Sequence, residues 1–418
     1  MKTDFIIPFF ILSSVIRSPI HFNPDNNYIN YSFLPDKIKL ENIQKLYGKK
    51  IITSVSKLEK YRSCPFSYFL QYELRLKEKE EFKIQSLDTG SFMHDVIDKF
   101  FYNLNLDNKK INEIEDEYIE MIVNKIIDEK LQNNKTYIFN AKEKYKLLVE
   151  RLKRIIIKSL KYIINTLKYS EFEVLGTEVE FGDGKKYEPI KFKLKDGTDL
   201  EIIGKIDRID IAKDESNNYV RIIDYKSSVK NIDFSNIYGG LQLQLITYLD
   251  AVCKLEDFIP AGVLYFNLLE QMIKSNKKLT EEEIEEKIRN NFKMKGLILA
   301  DVKVAKMHDK TLDNSSYSRI IPAYIDKEGT LAPKKSSIAT REQFELLQNY
   351  INKTIKEIAV EILSGNIELK PYYKNKKTPC EFCSYKNMCG FNSGICKNKY
   401  RFIQNYSKDE IFEKIKNE

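Results

Sequence analysis

No apolar run in this 418-residue sequence is long enough to span a bilayer. The nearest, "FIIPFFILSSVI" from Phe5 to Ile16, falls short of the roughly 20 residues that a membrane helix needs. It does not read as a secretory signal either, because Asp4 sits where a basic region belongs and no small-residue cleavage site follows. The stretch is expected to be a strand or helix fragment of upstream structure, in a cytoplasmic chain whose thiols stay reduced. A phosphate-cradling loop of the form GxxxxGK[ST] is also missing, so the chain does not by itself drive ATP-powered movement. Internal repeats and low-complexity tracts are absent. Histidine is scarce, with three in all.

What is present is the make-up of a globular protein, with 42% apolar and 31% charged residues. The length allows one large domain or two to three ordinary ones. The formal net charge of +8 permits a polyanionic partner without requiring one. From Lys370 to Arg401 the bias is sharper. Lys370, Lys374, Lys376, Lys377, Lys386, Lys397, Lys399 and Arg401 face a single acid, Glu381, with Tyr372, Tyr373, Phe382, Tyr385 and Phe391 interleaved. That pattern suits a nucleic-acid surface, and equally a solvated lysine-rich face.

Along the chain, Ser54 and Ser56 precede an amphipathic helix, and "DTGSFMHDVIDKFFYNL" starts a second helix behind Gly90 and Ser91. Residues 107–168 carry helical periodicity for two or three further helices. Near Glu171 the period changes, giving four strand-like runs: "FEVLGTEVEF", "YEPIKFKL", "LEIIGKIDRIDIA" and "YVRIIDYKS". Asp-Gly turn signals, "GDGKK" and "KDGTD", separate the first three. A helix, "GGLQLQLITYLDAVCKL", and a buried-looking strand, "AGVLYFNLL", come next. Helical stretches at 280–294 and 341–364 precede the cysteine region. The order implies an α/β fold, a mixed central sheet flanked by helices.

Two acids stand at the expected ends of adjacent strands, Asp207 in "GKIDRID" and Asp224 in "IIDYKSS". Strand alternation puts Asp224 and Lys226 on one face. A carboxylate there can hold a hard cation, with the lysine orienting water beside it. A surface Asp–Lys pair is the plain alternative. Gln244 and Tyr248 are four apart on one helix face, and His94 lies near a helix start.

His94 in "GSFMHDVID", Asp207, "DYKSS", and Gln244 and Tyr248 in "QLITY" resemble, in order, the motif set of RecB-type nucleases of the PD-(D/E)xK superfamily. The stretches "SVSKLEKYRSCPFSYFLQYELRLKEKE", "GLQLQLITYLDAV" and "KTPCEFCSYKNMCGF" resemble more narrowly the nuclease region of the AddB family, from about Glu41 to Tyr406. The resemblance implies that His94, Asp207, Asp224 and the Tyr225 carbonyl hold one or two Mg²⁺ or Mn²⁺ ions. Lys226 would position water, and Gln244 and Tyr248 would orient the strand being cut. The proline that names the superfamily is Ile206 here, a position that carries no chemistry. A metal-dependent DNA exonuclease is implied, degrading the strand that ends 5′ in complex with an AddA-type helicase–nuclease partner, with no membrane partner. Two alternatives stay open: a stand-alone iron–sulfur exonuclease of the CRISPR-adaptation type, and a catalytically idle, structural DNA-binding component. By this resemblance residues 1–50 are a residual upstream segment and 51–418 the nuclease domain. Its parts are 51–105, a helical insertion at 106–170, the catalytic sheet and helix at 171–270, a variable region at 271–369, and the basic cysteine-rich segment at 370–418.

Of the six cysteines, Cys380, Cys383 and Cys389 fall within ten residues, which suits a metal centre but is one thiol short of four. Cys253 reads as a small buried residue and Cys396 as a nearby spare. In the family one cysteine precedes the nuclease motifs and three follow, so the resemblance makes Cys64 the fourth ligand. Spacing alone does not choose between Zn²⁺ and a [4Fe–4S] cluster. The resemblance favours the cluster, as a staple joining the N- and C-terminal parts.

Overall fold

The computed structural model describes residues 21–22, 29–30, 37–77, 86–132, 143–268, 278–394 and 398–418. The apolar stretch Phe5–Ile16, Cys396 and Lys397 lie outside the described residues. After strand β1 (Lys50–Thr53) and helix α1 (Val55–Ser63), the chain lays down three long helices, α2 (Ser86–Leu106), α3 (Asp116–Leu131) and α4 (Glu143–Lys168). Strands β2 (Glu173–Phe181), β3 (Ile190–Lys193), β4 (Asp199–Ile202), β5 (Gly204–Lys213) and β6 (Asn218–Lys226) follow. Helix α5 (Gln244–Glu256), strands β7 (Ile259–Asn267), β8 (Lys295–Leu299) and β9 (Ile338–Ala339), and helix α6 (Arg341–Leu363) come next. Two short strands, β10 (Tyr372–Tyr373) and β11 (Arg401–Phe402), brace the C-terminal segment.

The central sheet runs β9-β8-β7-β6-β5-β2 and is mixed. β6 and β7 are parallel, and β5 is antiparallel to both β6 and β2. Period-2 alternation divides the apolar residues of the middle strands between two cores. Ile222, Val263 and Tyr265 join the core covered by α1, α5 and α6. Ile223, Tyr225, Leu264 and Phe266 join the one covered by α2, α3 and α4. Helix α4 shows why that layer forms: Leu152, Ile156, Leu160, Ile163 and Leu167 recur at helical spacing and are all buried. Each such side chain contributes about 1.5–3 kcal/mol when fully removed from water. Among the described residues no helix is long and apolar enough to cross a membrane.

The structure revises three sequence-level expectations. The run "LEIIGKIDRIDIA" is two strands, β4 and β5, in different sheets. β4 joins β1 and β3 in a small side sheet, while β5 pairs with β2 in the main one. The "KDGTD" hairpin forms between β3 and β4, with Gly197 at φ +84°; "GDGKK" turns the chain out of the main sheet instead. Gly204 marks the switch, because a Cβ there would lie 2.8 Å from Phe181 and 2.9 Å from the Tyr248 hydroxyl. Asp207 is therefore inside β5 rather than at a strand end. Finally, α2 begins at Ser86 and runs through Gly90, so His94 lies within it rather than near its start. One glycine costs about 1 kcal/mol in a helix, which burial of Phe92, Met93, Val96, Ile97 and Phe100 outweighs.

A buried charge network ties β5 to β6. Asp210 accepts from Arg208 Nε and Nη2, both at 2.7 Å, and from Arg221 Nε at 2.8 Å. Arg221 lies over the Phe172 ring and 3.0 Å from His308 Nδ1. His308 Nε2 faces the Ala261 carbonyl at 3.3 Å, so Nε2 donates and Nδ1 accepts, the pattern of a neutral imidazole. Burial, and then the Arg221 charge, hold its pKa well below the ordinary value. Below pH ~6.5 the unfolded chain takes up a proton that the folded one refuses, so this contribution is full above that pH and lost as pH falls. Between pH 7.5 and 5.5, denaturant titrations are expected to show wild type losing about 1.4 kcal/mol more than His308→Gln. Equal losses in the two proteins would contradict the assignment.

Candidate metal centre and cysteine clasp

The cleft at the edge of β5 and β6 has a volume of about 700 Å³, with Gly90, Ser91, His94, Glu178, Lys205, Tyr225 and Lys226 among its lining residues. One ligand-type atom from each of His94, Glu178 and Asp207 lies within 4.8 Å of the others. His94 Nδ1 is 3.2 Å from Glu178 Oε1 and 3.5 Å from Asp207 Oδ2, and Nε2 is 3.1 Å from the Tyr225 carbonyl oxygen. Burial pulls the His94 pKa down, but hydrogen bonds and charge from Asp207 and Glu178 outweigh it and raise it to about 10. Both ring nitrogens face acceptors, so the ring rests as an imidazolium. It gives up a proton when it serves as a ligand.

Asp207 is held by the Tyr225 N–H, which donates to its Oδ2 at 2.8 Å. Asp224 is buried, and its Oδ2 forms an ion pair with Lys226 Nζ but has no hydrogen-bond partner. Buried against a single ammonium, this carboxylate can take a further positive group. Burial first, and then the Asp207 charge, raise the Asp224 pKa to about 6. Asp95, Asp98, Glu178 and Glu180 line the cleft beside Asp207 and Asp224, and they outnumber Lys205, Lys226 and the His94 ring. The donor set of imidazole, carboxylates and a backbone carbonyl fits a hard divalent cation.

Gln244 and Tyr248 sit one turn apart at the start of α5, with Gln244 Nε2 3.4 Å from the Tyr248 hydroxyl. Burial first, and then the Asp224, Asp207 and Glu59 carboxylates, raise the Tyr248 pKa; its hydroxyl lies against Gly204, next to the cleft-lining Lys205. The residues predicted as the site thus come together. Glu178 is the one that sequence reasoning missed. In "GTEVEF" it alternates like a solvent-side residue, yet it adopts φ +47°, just beyond the register shift at Val174/Gly176 in the β2–β5 pairing. A left-handed glutamate costs about 1–2 kcal/mol and persists because Lys205 and His94 hold its carboxylate. The signal available was its strand's pairing with "GKIDRID", which periodicity does not reveal.

Cys64, Cys380, Cys383 and Cys389 line a single cavity of about 200 Å³ with Phe66, Pro379 and Tyr400. All four are free thiols. Cys64 stands between the end of α1 and the single turn Pro65–Tyr68. Cys383 Sγ is 3.9 Å from Ser67 Oγ, and the Tyr385 hydroxyl donates to the Leu76 carbonyl at 2.8 Å, binding the two ends of the chain. Burial pushes the Cys64 pKa up to about 11, and raises Cys380 and Cys389 as well. Cys253 is half-buried on α5, apart from this group. In the basic segment, Lys376, Lys377, Lys386 and Lys399 are exposed. Lys374 is buried against Asp233 and Asn236, and Arg401 donates to the Gly239 and Arg62 carbonyls, so these two serve the fold.

A mixed sheet with an Asp on one strand, an Asp-x-Lys on the next and a helical His alongside defines a class of nucleases. A family model described as the PD-(D/E)XK nuclease superfamily matches residues 52–390, and the chain belongs to that superfamily. The chain is also 40% identical over 396 residues to the B subunit of the ATP-dependent helicase/deoxyribonuclease of Clostridium novyi (strain NT), covering 93% of this chain and 35% of that protein. The corresponding protein of Clostridium tetani (strain Massachusetts / E88) is 38% identical over 405 residues, 96% of this chain and 35% of that protein. That of Thermoanaerobacter sp. (strain X514) is 37% identical over 394 residues, 93% and 34%. The chain spans about a third of the length of the curated relatives it matches.

Proposed function

We propose that this chain is the metal-dependent DNA exonuclease module of a two-subunit helicase–nuclease that processes double-strand breaks for recombinational repair. The observation that carries this reading is the His94–Glu178–Asp207 ligand group, with buried Asp224 and its Lys226 ion pair beside it. His94, Asp207, Asp224 and the Tyr225 carbonyl would hold Mg²⁺ or Mn²⁺, with Glu178 as a further carboxylate. A bound cation supplies charge stabilisation at the scissile phosphate and a more acidic water. Lys226 orients the attacking water and balances the Asp224 charge. Gln244 and Tyr248 align the strand at the cleft edge, and exposed lysines of the C-terminal segment attract its phosphates.

The relatives' names speak for a subunit of an ATP-dependent helicase/deoxyribonuclease, and the resemblance to the AddB family adds an AddA-type partner and 5′ to 3′ degradation to this proposal. Their similarity over 93% of this chain favours this role over a stand-alone exonuclease. The complete ligand set speaks against an idle component. For the thiols, a [4Fe–4S] cluster is proposed over zinc. Four thiols around a cavity of about 200 Å³ could carry either group, and the resemblance to the AddB family favours the cluster. Incubated with end-labelled single-stranded DNA, the chain is expected to cut with Mg²⁺ and not with EDTA. Uncut DNA at all Mg²⁺ concentrations, with the protein folded, would refute the reading.

A further inference from the structure

We propose, resting on that nuclease reading, that Glu59 is a positioning residue through which the cysteine clasp sets the geometry of the hydrolytic site. Glu59 lies on α1, five residues before Cys64, or about 7.5 Å along the helix axis. Its Oε1 accepts from the Leu243 N–H at 2.6 Å and the Gln244 N–H at 3.1 Å. Leu243 occupies the N-cap of α5 and has no side-chain acceptor to offer its own helix. The first turn of α5, which carries Gln244 and Tyr248, is thus fixed by a carboxylate from a segment more than 180 residues earlier. An unsatisfied buried N–H at that point would leave the turn free to shift or fray.

Other contacts make the link stiff. The Tyr61 hydroxyl donates to the Asn366 carbonyl at 3.0 Å, Arg62 pairs with Glu361 at 3.0 Å, and Arg401 grips the Arg62 carbonyl. Helix α1 is therefore clamped to α6 and β11 on one side and to the thiol cavity at its end. Glu59 also lines a second groove, of about 600 Å³, whose far wall includes Tyr372, Lys377 and Pro379. Pro379 is shared with the thiol cavity, so clasp, groove and α5 meet around this helix.

The test uses the full chain with its native thiol centre. With saturating Mg²⁺ and single-stranded DNA, Glu59→Ala is expected to lower kcat roughly 100-fold, the scale of an ångström-level misplacement. KM, far-UV circular dichroism and the thiol-centred visible absorption should hold. Glu59→Gln keeps a carbonyl acceptor for both N–H groups and is expected to stay within about fivefold of wild type. In a Gln244→Ala background, Glu59→Ala should add less than about twofold, since both changes act through one element. A kcat for Glu59→Ala near wild type, a Gln variant as slow as Ala, or losses that multiply in the double variant would each overturn the proposal. A wild-type chain that does not cleave overturns the nuclease reading and this proposal together.

Discussion

Lys226→Ala is expected to lower Mg²⁺-supported DNA cleavage by about 10³-fold while leaving the fold and cation binding in place. The ammonium lies against the buried Asp224 carboxylate at the end of β6, where a positioned acid–base side chain contributes roughly 10²–10⁴ in rate. Asp207→Ala should reach the same loss by another route. Asp207 is both a ligand atom in the His94 group and the acceptor for the Tyr225 N–H at 2.8 Å, so its removal weakens cation binding and loosens the carbonyl beside it. Glu178→Gln should be milder, raising the Mg²⁺ concentration needed for half-maximal rate without lowering the plateau much. Rate against Mg²⁺ concentration, with Mn²⁺ binding followed by electron paramagnetic resonance, separates the three. A wild-type rate in Lys226→Ala or Asp207→Ala would end the catalytic assignment.

The parts of this site that could be read from the sequence are those whose chemistry is local. Asp224 and Lys226 share a strand face by alternation alone, and Gln244 and Tyr248 share a helix face by spacing alone. Ile222 and Ile223 are apolar neighbours of Asp224, and β6 sends one into each core. Failures occurred where pairing was non-local. Nothing in "LEIIGKIDRIDIA" tells that Ile202 ends one sheet and Gly204 starts another, because that switch depends on β1 and β2 arriving from elsewhere. Glu178 looked like a solvated residue for the same reason, since its role comes from the register with β5 and from α2 crossing above. Arg208, Asp210 and Arg221 read as ordinary charges in strands. Their mutual burial exists only once Asp210 faces Arg221 across the ladder.

Cys64→Ser is expected to have the largest effect on stability. Cys64 lies 316 positions before Cys380, yet both line one cavity. Closing a loop of that size removes unfolded-chain entropy worth about 6 kcal/mol in the ideal model, an upper bound. Burial, with a further push from Cys380, raises the Cys64 pKa to about 11, so this thiol becomes a ligand only when a metal group draws off its proton. Loss of one ligand should therefore remove the visible absorption, lower the unfolding midpoint and free the basic segment to proteolysis. Because that segment and α1 wall the same groove, DNA affinity should fall too, even though no thiol lines the cleft of His94 and Lys226. Cys253→Ser, half-buried on α5 and outside the cavity, is the matched control and should change none of these. Iron, sulfide and zinc analysis of the purified wild type decides the nature of the group. A colourless protein with stoichiometric zinc would replace the cluster by an ion and leave the clasp standing. A Cys64→Ser protein as stable and protease-resistant as wild type would remove the clasp itself.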